Sequence, residues 1–306
     1  MIEALRSEIN GFFVGKEEVV DNVLICMLAG GHVLLEDVPG VGKTTLAETV
    51  ARATECRMGR IQFTPDTLPG DITGISVYNT KTGGFEYREG VIMNQLLLAD
   101  EINRTSPKTQ ASLLEAMAEG HVTVDGHIYE LPKPFMVIAT QNPVEFIGTY
   151  PLPEAQKDRF MMRLSIGYPS VESELKMARN YIDGKTVEMT KKVCSASDIL
   201  QMMEEVKKIT VNDAMLGYMR DIINRTREEK KFVTGASPRA LLFLVRASQA
   251  RAYLKERDFV KPDDVKAVTV NVLHHRLELT SEAEIAGDNI DSLIANIVIR
   301  ANVPLE

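Results

Sequence analysis

The stretch HVLLEDVPGVGKTTLAETVA, residues 32–51, constrains the fold of this chain more than any other. An apolar run, Val33 to Leu35, leads into a turn that contains proline and glycine, and a helical pattern begins near Lys43. In this context the pattern G-x-x-x-x-G-K-[ST] holds nucleotide phosphates, through backbone N–H groups of the loop and the positive end of the helix. The stretch therefore predicts a phosphate-binding loop between a buried strand and a helix.

The candidate nucleotide-binding residues of this loop are Pro39, Gly40, Val41, Gly42, Lys43, Thr44 and Thr45. Gly40 and Gly42 would let the main chain approach a phosphate closely. Asp37 stands where the pattern has its first glycine. Because aspartate tolerates turn and left-handed conformations better than most residues, we interpret Asp37 as a variant that shapes the turn. A bare G-x-G-K-T match also fits an ordinary strand-to-helix turn, so a second feature is needed.

The second feature is LLLADEIN, residues 96–103, an apolar strand that ends in Asp100 and Glu101. The carboxyl ends of parallel strands meet at one edge of a sheet, which is where ligands bind in open α/β folds. Asp100 could hold Mg²⁺ together with the Thr44 hydroxyl, and Glu101 could polarise the attacking water. An acidic cap after a strand is the plainer interpretation, but the carboxylates and the loop together favour ATP or GTP hydrolysis.

Three further residues are candidates for the same chemistry. Asn142 follows the strand FMVIAT and can orient the attacking water, although an ordinary Asn–Pro turn fits as well. Arg159, in the stretch DRF, is the candidate for an arginine that stabilises transition-state charge in a neighbouring subunit. Arg239 lies in the first turn of a helix that Ser237 caps and Pro238 opens, where it would read the γ-phosphate bound to its own chain. For each arginine, a solvated surface charge is the plainer alternative.

Two domains are predicted from the pattern of apolar residues. Residues 1–167 alternate helical patterns with five short apolar runs, which predicts an α/β domain with a five-stranded parallel sheet covered by helices. The runs are HVLL, RIQF, LLLAD, FMVIAT and RLSIGY. From residue 168 to residue 306 one helical pattern follows another, which predicts an all-helical second domain.

Local signals predict several boundaries within the first domain. Ser106 followed by a proline, with Gly120 as the stop, predicts a helix over residues 107–119. Two β-hairpins are predicted in addition to the central sheet. One turns at Gly83-Gly84 within ISVYNTKTGGFEYREG, and the other turns at Asp125-Gly126 within HVTVDGHIYELP.

Composition narrows the class of protein. The 306 residues are 44% hydrophobic and 25% charged, which is typical of soluble globular chains. A net charge of −8 argues against a protein whose main function is to bind nucleic acid through its phosphates. The sequence has no apolar run of about 18 residues and its charged amino terminus is unlike a signal peptide, so no membrane insertion and a cytoplasmic location are expected. The three cysteines are widely spaced and predict neither a disulfide framework nor a zinc site.

The motifs occur in the order and spacing of an AAA+ ATPase. The resemblance rests on a Walker A stretch DVPGVGKTT, a Walker B stretch LLLADEINR, a sensor 1 stretch ATQNP, an arginine-finger stretch LPEAQKDRF and a sensor 2 stretch GASPRAL. The wording of GHVLLEDVPGVGKT, QASLLEAMAEGHVTVDG and PLPEAQKDRF resembles the MoxR family in particular. The likeness extends through the helical domain to about residue 300.

This resemblance implies an AAA+ P-loop αβα domain followed by a helical lid domain, with ATP and Mg²⁺ as cofactors. It also implies a ring, usually a hexamer, with the nucleotide at the subunit interface and with the two hairpins as the helix-2 insert and the pre-sensor hairpin near the pore. The implied activity is ATP hydrolysis that remodels or matures a partner, a client or an adaptor with a von Willebrand factor A domain. A nucleic-acid-associated AAA+ motor and a magnesium-chelatase-type ATPase subunit remain the alternatives.

Overall fold

The computed structural model describes residues 1–142 and 149–304, and within these ranges the strands follow the predicted runs. The strands are β1 Val33–Glu36, β2 Met58–Gln62, β3 Gly74–Asn79, β4 Gly84–Glu89, β5 Leu96–Asp100, β6 His121–Val124, β7 His127–Glu130, β8 Met136–Gln141 and β9 Met162–Leu164. The central sheet has the order β2-β5-β8-β1-β9, and every pairing in it is parallel. The predicted five-stranded parallel sheet is confirmed.

Helices cover this sheet and make up the rest of the chain beyond it. They are α1 Ile2–Phe12, α2 Glu17–Leu28, α3 Lys43–Ala53, α4 Pro69–Thr73, α5 Pro107–Glu119, α6 Glu154–Lys157, α7 Val171–Ile182, α8 Ala196–Val206, α9 Asp213–Glu228, α10 Pro238–Leu254, α11 Pro262–Leu273, α12 Ser281–Ile285 and α13 Ile290–Arg300. Short 3-10 helices occupy Ile102–Arg104, Val187–Met189 and His274–Arg276. The predicted helical lid is confirmed, and α12, which was not predicted, is too short to carry a periodic pattern.

The sheet is buried on both faces, which explains its continuous apolar strands. In β1, Val33 and Leu35 point into one hydrophobic cluster, and Leu34 points into the other. The first cluster runs from α1, α2 and α3 into the helical half, where α8 and α10 pack on α2. The second lies under α5. Because the first cluster is shared, the helical half is packed directly on the sheet domain.

Local signals place the other boundaries as expected. The Ser106 side chain accepts a hydrogen bond from the Thr109 backbone at 3.4 Å, and Gly120 ends α5 with a φ of 72°. The β6–β7 hairpin turns through Asp125 and Gly126, both with positive φ, as a tight hairpin turn requires. The β3–β4 hairpin also forms, with Gly83 in its turn.

Two further observations concern the cysteines and the lengths of the helices. Cys26, Cys56 and Cys194 are all free and buried. Across residues 1–142 and 149–304, no helix is long and apolar enough to cross a membrane.

His32 makes hydrogen bonds to three neighbouring segments at the amino edge of the sheet. Its Nδ1 accepts a hydrogen bond from the Val137 backbone at 3.1 Å, so its Nε2 carries the proton, which points at the Met117 carbonyl 3.3 Å away. Its own carbonyl accepts a hydrogen bond from the Met161 backbone at 2.8 Å. Burial lowers the pKa of His32 to about 4. The folded protein therefore holds this imidazole in the neutral form.

We predict that His32 makes stability fall with acidification. The folded pKa of His32 is about 4, whereas an unfolded histidine titrates at about 6.5. The contribution of the neutral imidazole to the free energy of unfolding is therefore complete above a pH of about 6.5 and is lost as the pH falls towards 4. Over that window the loss is at most roughly 3 kcal/mol. Urea unfolding of the wild type and of His32→Asn at several pH values should give a stability gap that narrows between neutral and acidic pH.

The matched control is His127→Asn, since His127 lies exposed on β7. The gap between His127→Asn and the wild type, measured over the same window, gives the background against which the His32→Asn gap is compared. A His32→Asn gap that did not change with pH would contradict the assignment.

Candidate active site

The turn between β1 and α3 has the geometry that a phosphate-binding loop requires. Gly40 and Gly42 have φ values of 85° and 91°, a left-handed region that glycine enters without strain. A Cβ on Gly42 would lie 3.3 Å from the ring of Phe13. Helix α3 then begins at Lys43, so its first N–H groups, which have no partner within the helix, point towards the loop.

One cavity at the carboxyl edge of the sheet collects most of the predicted residues. It has a volume of about 330 Å³ and is lined by Pro39, Gly40, Gly42, Lys43, Thr44, Thr45, Asp100, Glu101 and Asn142. We call it the loop cavity. Val41 is the predicted loop residue that does not line it, because its side chain packs against the hydrophobic core. Of the described residues that line the loop cavity, Lys43 alone is basic.

Lys43 is held within the loop. Its Nζ donates a hydrogen bond to the Asp37 carbonyl at 2.7 Å. Burial lowers the pKa of Lys43, and the carboxylates of Asp37, Asp100 and Glu101 oppose that shift. The ammonium group is thus kept near the carboxylates and turned towards the space that a polyphosphate would fill.

Asp100 is oriented by a neighbouring strand. Its Oδ1 accepts a hydrogen bond from the Thr140 hydroxyl at 2.6 Å, and its Oδ2 lies 3.1 Å from Nη2 of Arg60. Thr44, which carries a hydroxyl group, lines the same cavity. Carboxylate and hydroxyl oxygens suit Mg²⁺, which binds few protein ligands and completes its shell with water and substrate phosphates. The donor set of Thr44 and Asp100 fits that ion.

Glu101 has a constrained backbone and an oriented carboxylate. Its φ of 57° is left-handed, which is uncommon for a residue other than glycine. Its Oε2 accepts hydrogen bonds from Gln62 Nε2 at 2.8 Å and from Arg104 Nη1 at 3.0 Å. The sequence reasoning missed Gln62. Its position could have indicated this contact, because Gln62 ends β2 and pairs with Asp100, the neighbour of Glu101, in the parallel register.

Asp37 does not take the left-handed conformation considered for it. Within the described residues, the positive-φ positions other than glycine are Glu55, Glu101, Asp125 and Glu256. The Asp37 carboxylate is instead buried. It accepts hydrogen bonds from the Ser165 hydroxyl at 3.0 Å, from the Gly167 backbone at 3.0 Å and from the Ile166 backbone.

This contact explains why the loop carries an aspartate where the pattern has glycine. The carboxylate ties the start of the loop to the segment that leaves β9, more than 125 residues further along the chain. A glycine has no side chain that could make this connection.

Asn142 lines the loop cavity and is buried, with 6% of its surface exposed. It follows β8 directly, beside β5 and its carboxylates. Pro143, which completes the proposed sensor 1 stretch and the alternative Asn–Pro turn, lies outside the described residues.

The two predicted arginines lie at the other edge of the sheet. A second cavity of about 220 Å³, which we call the arginine cavity, is lined by Gly30, Gly31, His32, Met117, Ala118, Arg159, Arg239, Phe243 and Arg246. Gly30 to His32 precede β1, so this cavity is at the amino edge, whereas the loop cavity is at the carboxyl edge. Arg239, predicted to read the γ-phosphate bound to its own chain, thus lines the arginine cavity and is not among the described residues that line the loop cavity.

The arginine cavity brings residues from both halves of the chain together. Arg159 Nη1 donates a hydrogen bond to the Leu114 carbonyl at 2.7 Å. Arg239 Nη1 lies 3.5 Å from the carboxylate of Asp158. Arg246 was missed by the sequence reasoning, although it lies seven residues after Arg239 on α10 and hence on the same helical face.

Comparison with known proteins adds independent findings. Residues 32–162 match the model of the ATPase family associated with various cellular activities (AAA), and residues 224–297 match the AAA lid domain. The chain is 47% identical to the uncharacterised protein YeaC of Bacillus subtilis (strain 168), over 97% of this chain and 93% of that protein. It is 40% identical to chaperone MoxR1 of Mycobacterium tuberculosis, over 98% of this chain and 81% of that protein.

A solved structure agrees with these relatives. The crystal structure of a candidate ATPase from Cytophaga hutchinsonii matches with a TM-score of 0.93 and 38% identity, covering 99% of this chain and 95% of that one.

We predict that Asp37→Gly, which restores the glycine of the pattern, destabilises the protein. It removes the acceptor for three hydrogen bonds and leaves buried N–H donors without a partner, at a cost of roughly 2 kcal/mol. Thermal unfolding should show a lowered Tm, and Asp37→Asn should fall between the wild type and Asp37→Gly. The exposed Asp66→Gly serves as the control. An unchanged Tm for Asp37→Gly would mean that the aspartate only fills space.

Proposed function

This chain belongs to the MoxR family of AAA+ ATPases, and on that premise we propose that it is a Mg²⁺-dependent enzyme that hydrolyses ATP to ADP and phosphate in order to remodel or mature a partner protein. The observation that carries the proposal is the separation of the two cavities. The loop and the carboxylates lie at one edge of the sheet, and the arginines lie at the other.

The loop between β1 and α3 binds the substrate. The free N–H groups at the start of α3 and the Lys43 ammonium group bind the phosphates of ATP. The Thr44 hydroxyl and the Asp100 carboxylate would hold Mg²⁺, which would supply positive charge against the phosphates. Thr140 fixes the direction of the Asp100 carboxylate through its 2.6 Å hydrogen bond.

Glu101 and Asn142 activate the attacking water. Gln62 and Arg104 both donate to one carboxylate oxygen of Glu101, Oε2, and so orient the group. Its other oxygen, Oε1, accepts the proton of the attacking water. The neutral amide of Asn142 orients that water without adding charge beside the γ-phosphate.

The transition state needs more positive charge than one loop supplies. Lys43 alone is basic among the described residues that line the loop cavity. A head-to-tail arrangement of copies would set the arginine cavity of one copy against the loop cavity of the next, so that Arg159 and Arg239 act on a neighbour's nucleotide. The family resemblance implies that such an arrangement closes into a ring, usually a hexamer.

The partner is proposed to be a protein rather than a nucleic acid. The relative from Mycobacterium tuberculosis is named a chaperone. A net charge of −8 opposes binding to a phosphate backbone. Together with the partner that the family resemblance implies, these observations support our proposal of a cytoplasmic ring that acts on a client or an adaptor with a von Willebrand factor A domain.

We predict different defects for two substitutions in the loop cavity. Lys43→Ala should abolish ATP binding, because the cation that faces the β- and γ-phosphates is lost. Glu101→Gln should bind ATP and hydrolyse it very slowly, since an amide cannot take a proton from water. Calorimetric ATP titration together with phosphate release measures both. Wild-type turnover by Glu101→Gln would move the activation of water to another residue.

The Glu101→Gln form also tests the partner. Held in ATP, it should retain a protein with a von Willebrand factor A domain on affinity capture, and Lys43→Ala should retain none. Single-stranded and duplex DNA should leave wild-type hydrolysis unchanged. Stimulation by DNA would favour the nucleic-acid motor instead.

We predict that Arg159 acts on a neighbouring copy. Hydrolysis per subunit should rise with protein concentration, and Arg159→Ala should lose about 10³-fold in turnover with ATP binding intact. Arg159→Ala mixed with Lys43→Ala should regain activity, because intact Lys43 sites then face intact arginines. If the two variants assemble together, as seen by native mass spectrometry, and no mixing ratio restores hydrolysis, the interface site does not exist.

A further inference from the structure

Arg276 is a buried arginine whose contacts surround the candidate arginine finger. It lies in the 3-10 helix after α11, and its side chain is 2% exposed. Its guanidinium donates to the Asp158 carboxylate at 2.7 Å, to the Asp158 carbonyl at 3.1 Å, to the Phe160 carbonyl at 2.5 Å and to the Met161 carbonyl at 3.3 Å. These acceptors lie on both sides of Arg159. One side chain of the helical half thus holds the backbone from which Arg159 projects.

Asp158 extends the same network to the second arginine. Its carboxylate accepts a hydrogen bond from the hydroxyl of Ser237 at 3.2 Å, and Ser237 is the N-cap of α10. It also lies 3.5 Å from Nη1 of Arg239, in the first turn of that helix. The guanidinium of Arg276 lies 5.1 Å from the ring centroid of Phe243, which lines the arginine cavity. The network therefore reaches both sides of this cavity.

Stability alone does not explain such a pair. A buried ion pair commonly adds little stability over apolar residues of the same size, because both charges must be stripped of water. Burial lowers the pKa of Arg276 to about 10, and Asp158 opposes the shift, so the guanidinium is still charged at neutral pH. What the pair provides is fixed geometry. A planar guanidinium can hold a carboxylate and several carbonyls in set directions, which an apolar side chain cannot do.

We propose that the Asp158–Arg276 ion pair is the positioning element that holds Arg159 of the sheet domain and Arg239 of the helical half at a single surface, from which both act on a neighbouring copy. This inference rests on the proposed function of the ring. Asp158 and Arg276 touch no nucleotide in this scheme. They set the spacing between two groups that do, and a displacement of about 1 Å at such groups can cost about 10²-fold in rate.

The test uses conservative substitutions that keep the interior filled. Arg276→Lys retains the positive charge and loses the fork that holds several acceptors, and Asp158→Asn retains the shape and loses the negative charge. Both should keep the KM for ATP within about threefold, and Arg276→Lys should lose about 10²-fold in kcat. Asp158→Asn should lose less, because its amide oxygen can still accept a hydrogen bond from Arg276.

The matched control is Arg257→Lys. Arg257 pairs with the buried Asp264 at 2.7 Å in the same helical half, but neither residue lines the arginine cavity. A general weakening of that half should affect Arg257→Lys as much as Arg276→Lys. We expect Arg257→Lys to keep wild-type kcat.

Mixing the variants separates positioning from mere folding. The loop cavity of Arg276→Lys is intact, so mixing with Lys43→Ala, which supplies properly held arginines, should restore hydrolysis. Mixing Arg276→Lys with Arg159→Ala should restore none, because neither variant supplies a working arginine pair. A variant that is simply misfolded would restore activity with neither partner.

Three results would overturn the proposal. They are wild-type kcat in Arg276→Lys, restored hydrolysis when Arg276→Lys is mixed with Arg159→Ala, and no restoration with either partner. The mixture of Arg159→Ala with Lys43→Ala, run alongside, reports on the ring itself. If that pair restores activity while Arg276→Lys behaves in one of those three ways, the ring stands and the positioning role of Arg276 fails.

Discussion

The parallel direction of the central strands is the constraint on which the rest of this structure depends. Because β1, β5 and β8 run the same way, the polar residues that follow them meet at one edge of the sheet. The 2.6 Å hydrogen bond from Thr140 to Asp100 joins two of these strand ends, and Glu101 N donates to the same hydroxyl at 2.9 Å. In an apolar sheet that is buried on both faces, polar side chains therefore reach a ligand only where the strands end.

The same constraint separates the arginines from the loop. Residues that precede β1, such as His32, lie at the opposite edge, and the arginine cavity forms there between α5, α10 and the start of β1. The two edges of a sheet cannot meet within one chain, so in the proposed assembly the loop cavity of one copy is completed by the arginine cavity of the next. Repetition of the chain head to tail is the simplest way to join them, which makes assembly part of the proposed chemistry.

Two buried contacts between distant parts of the chain hold the two cavities. At the loop cavity, the buried carboxylate of Asp37 holds the segment at Ser165 and Gly167 that leads into the helical half. At the arginine cavity, Arg276 and Asp158 connect that half to the sheet domain. Each contact is made by a charged side chain with little exposure, but only the Asp158–Arg276 contact joins the two halves of the chain, so it is the arginine cavity that depends on how these halves pack.

The sequence by itself determined the strands, the loop glycines, the caps of α5 and the candidate residues of the loop cavity, because periodicity, turn chemistry and strand-end carboxylates are local signals. Only the tertiary structure decided that Asp37 is a buried acceptor, that Gln62 holds Glu101, and that Arg239 shares a cavity with Arg159 at the far edge of the sheet. These facts depend on groups brought together from distant parts of the chain. A local pattern carries no information about which distant donor a carboxylate meets, or about which edge of the sheet a helix from the second half will cover.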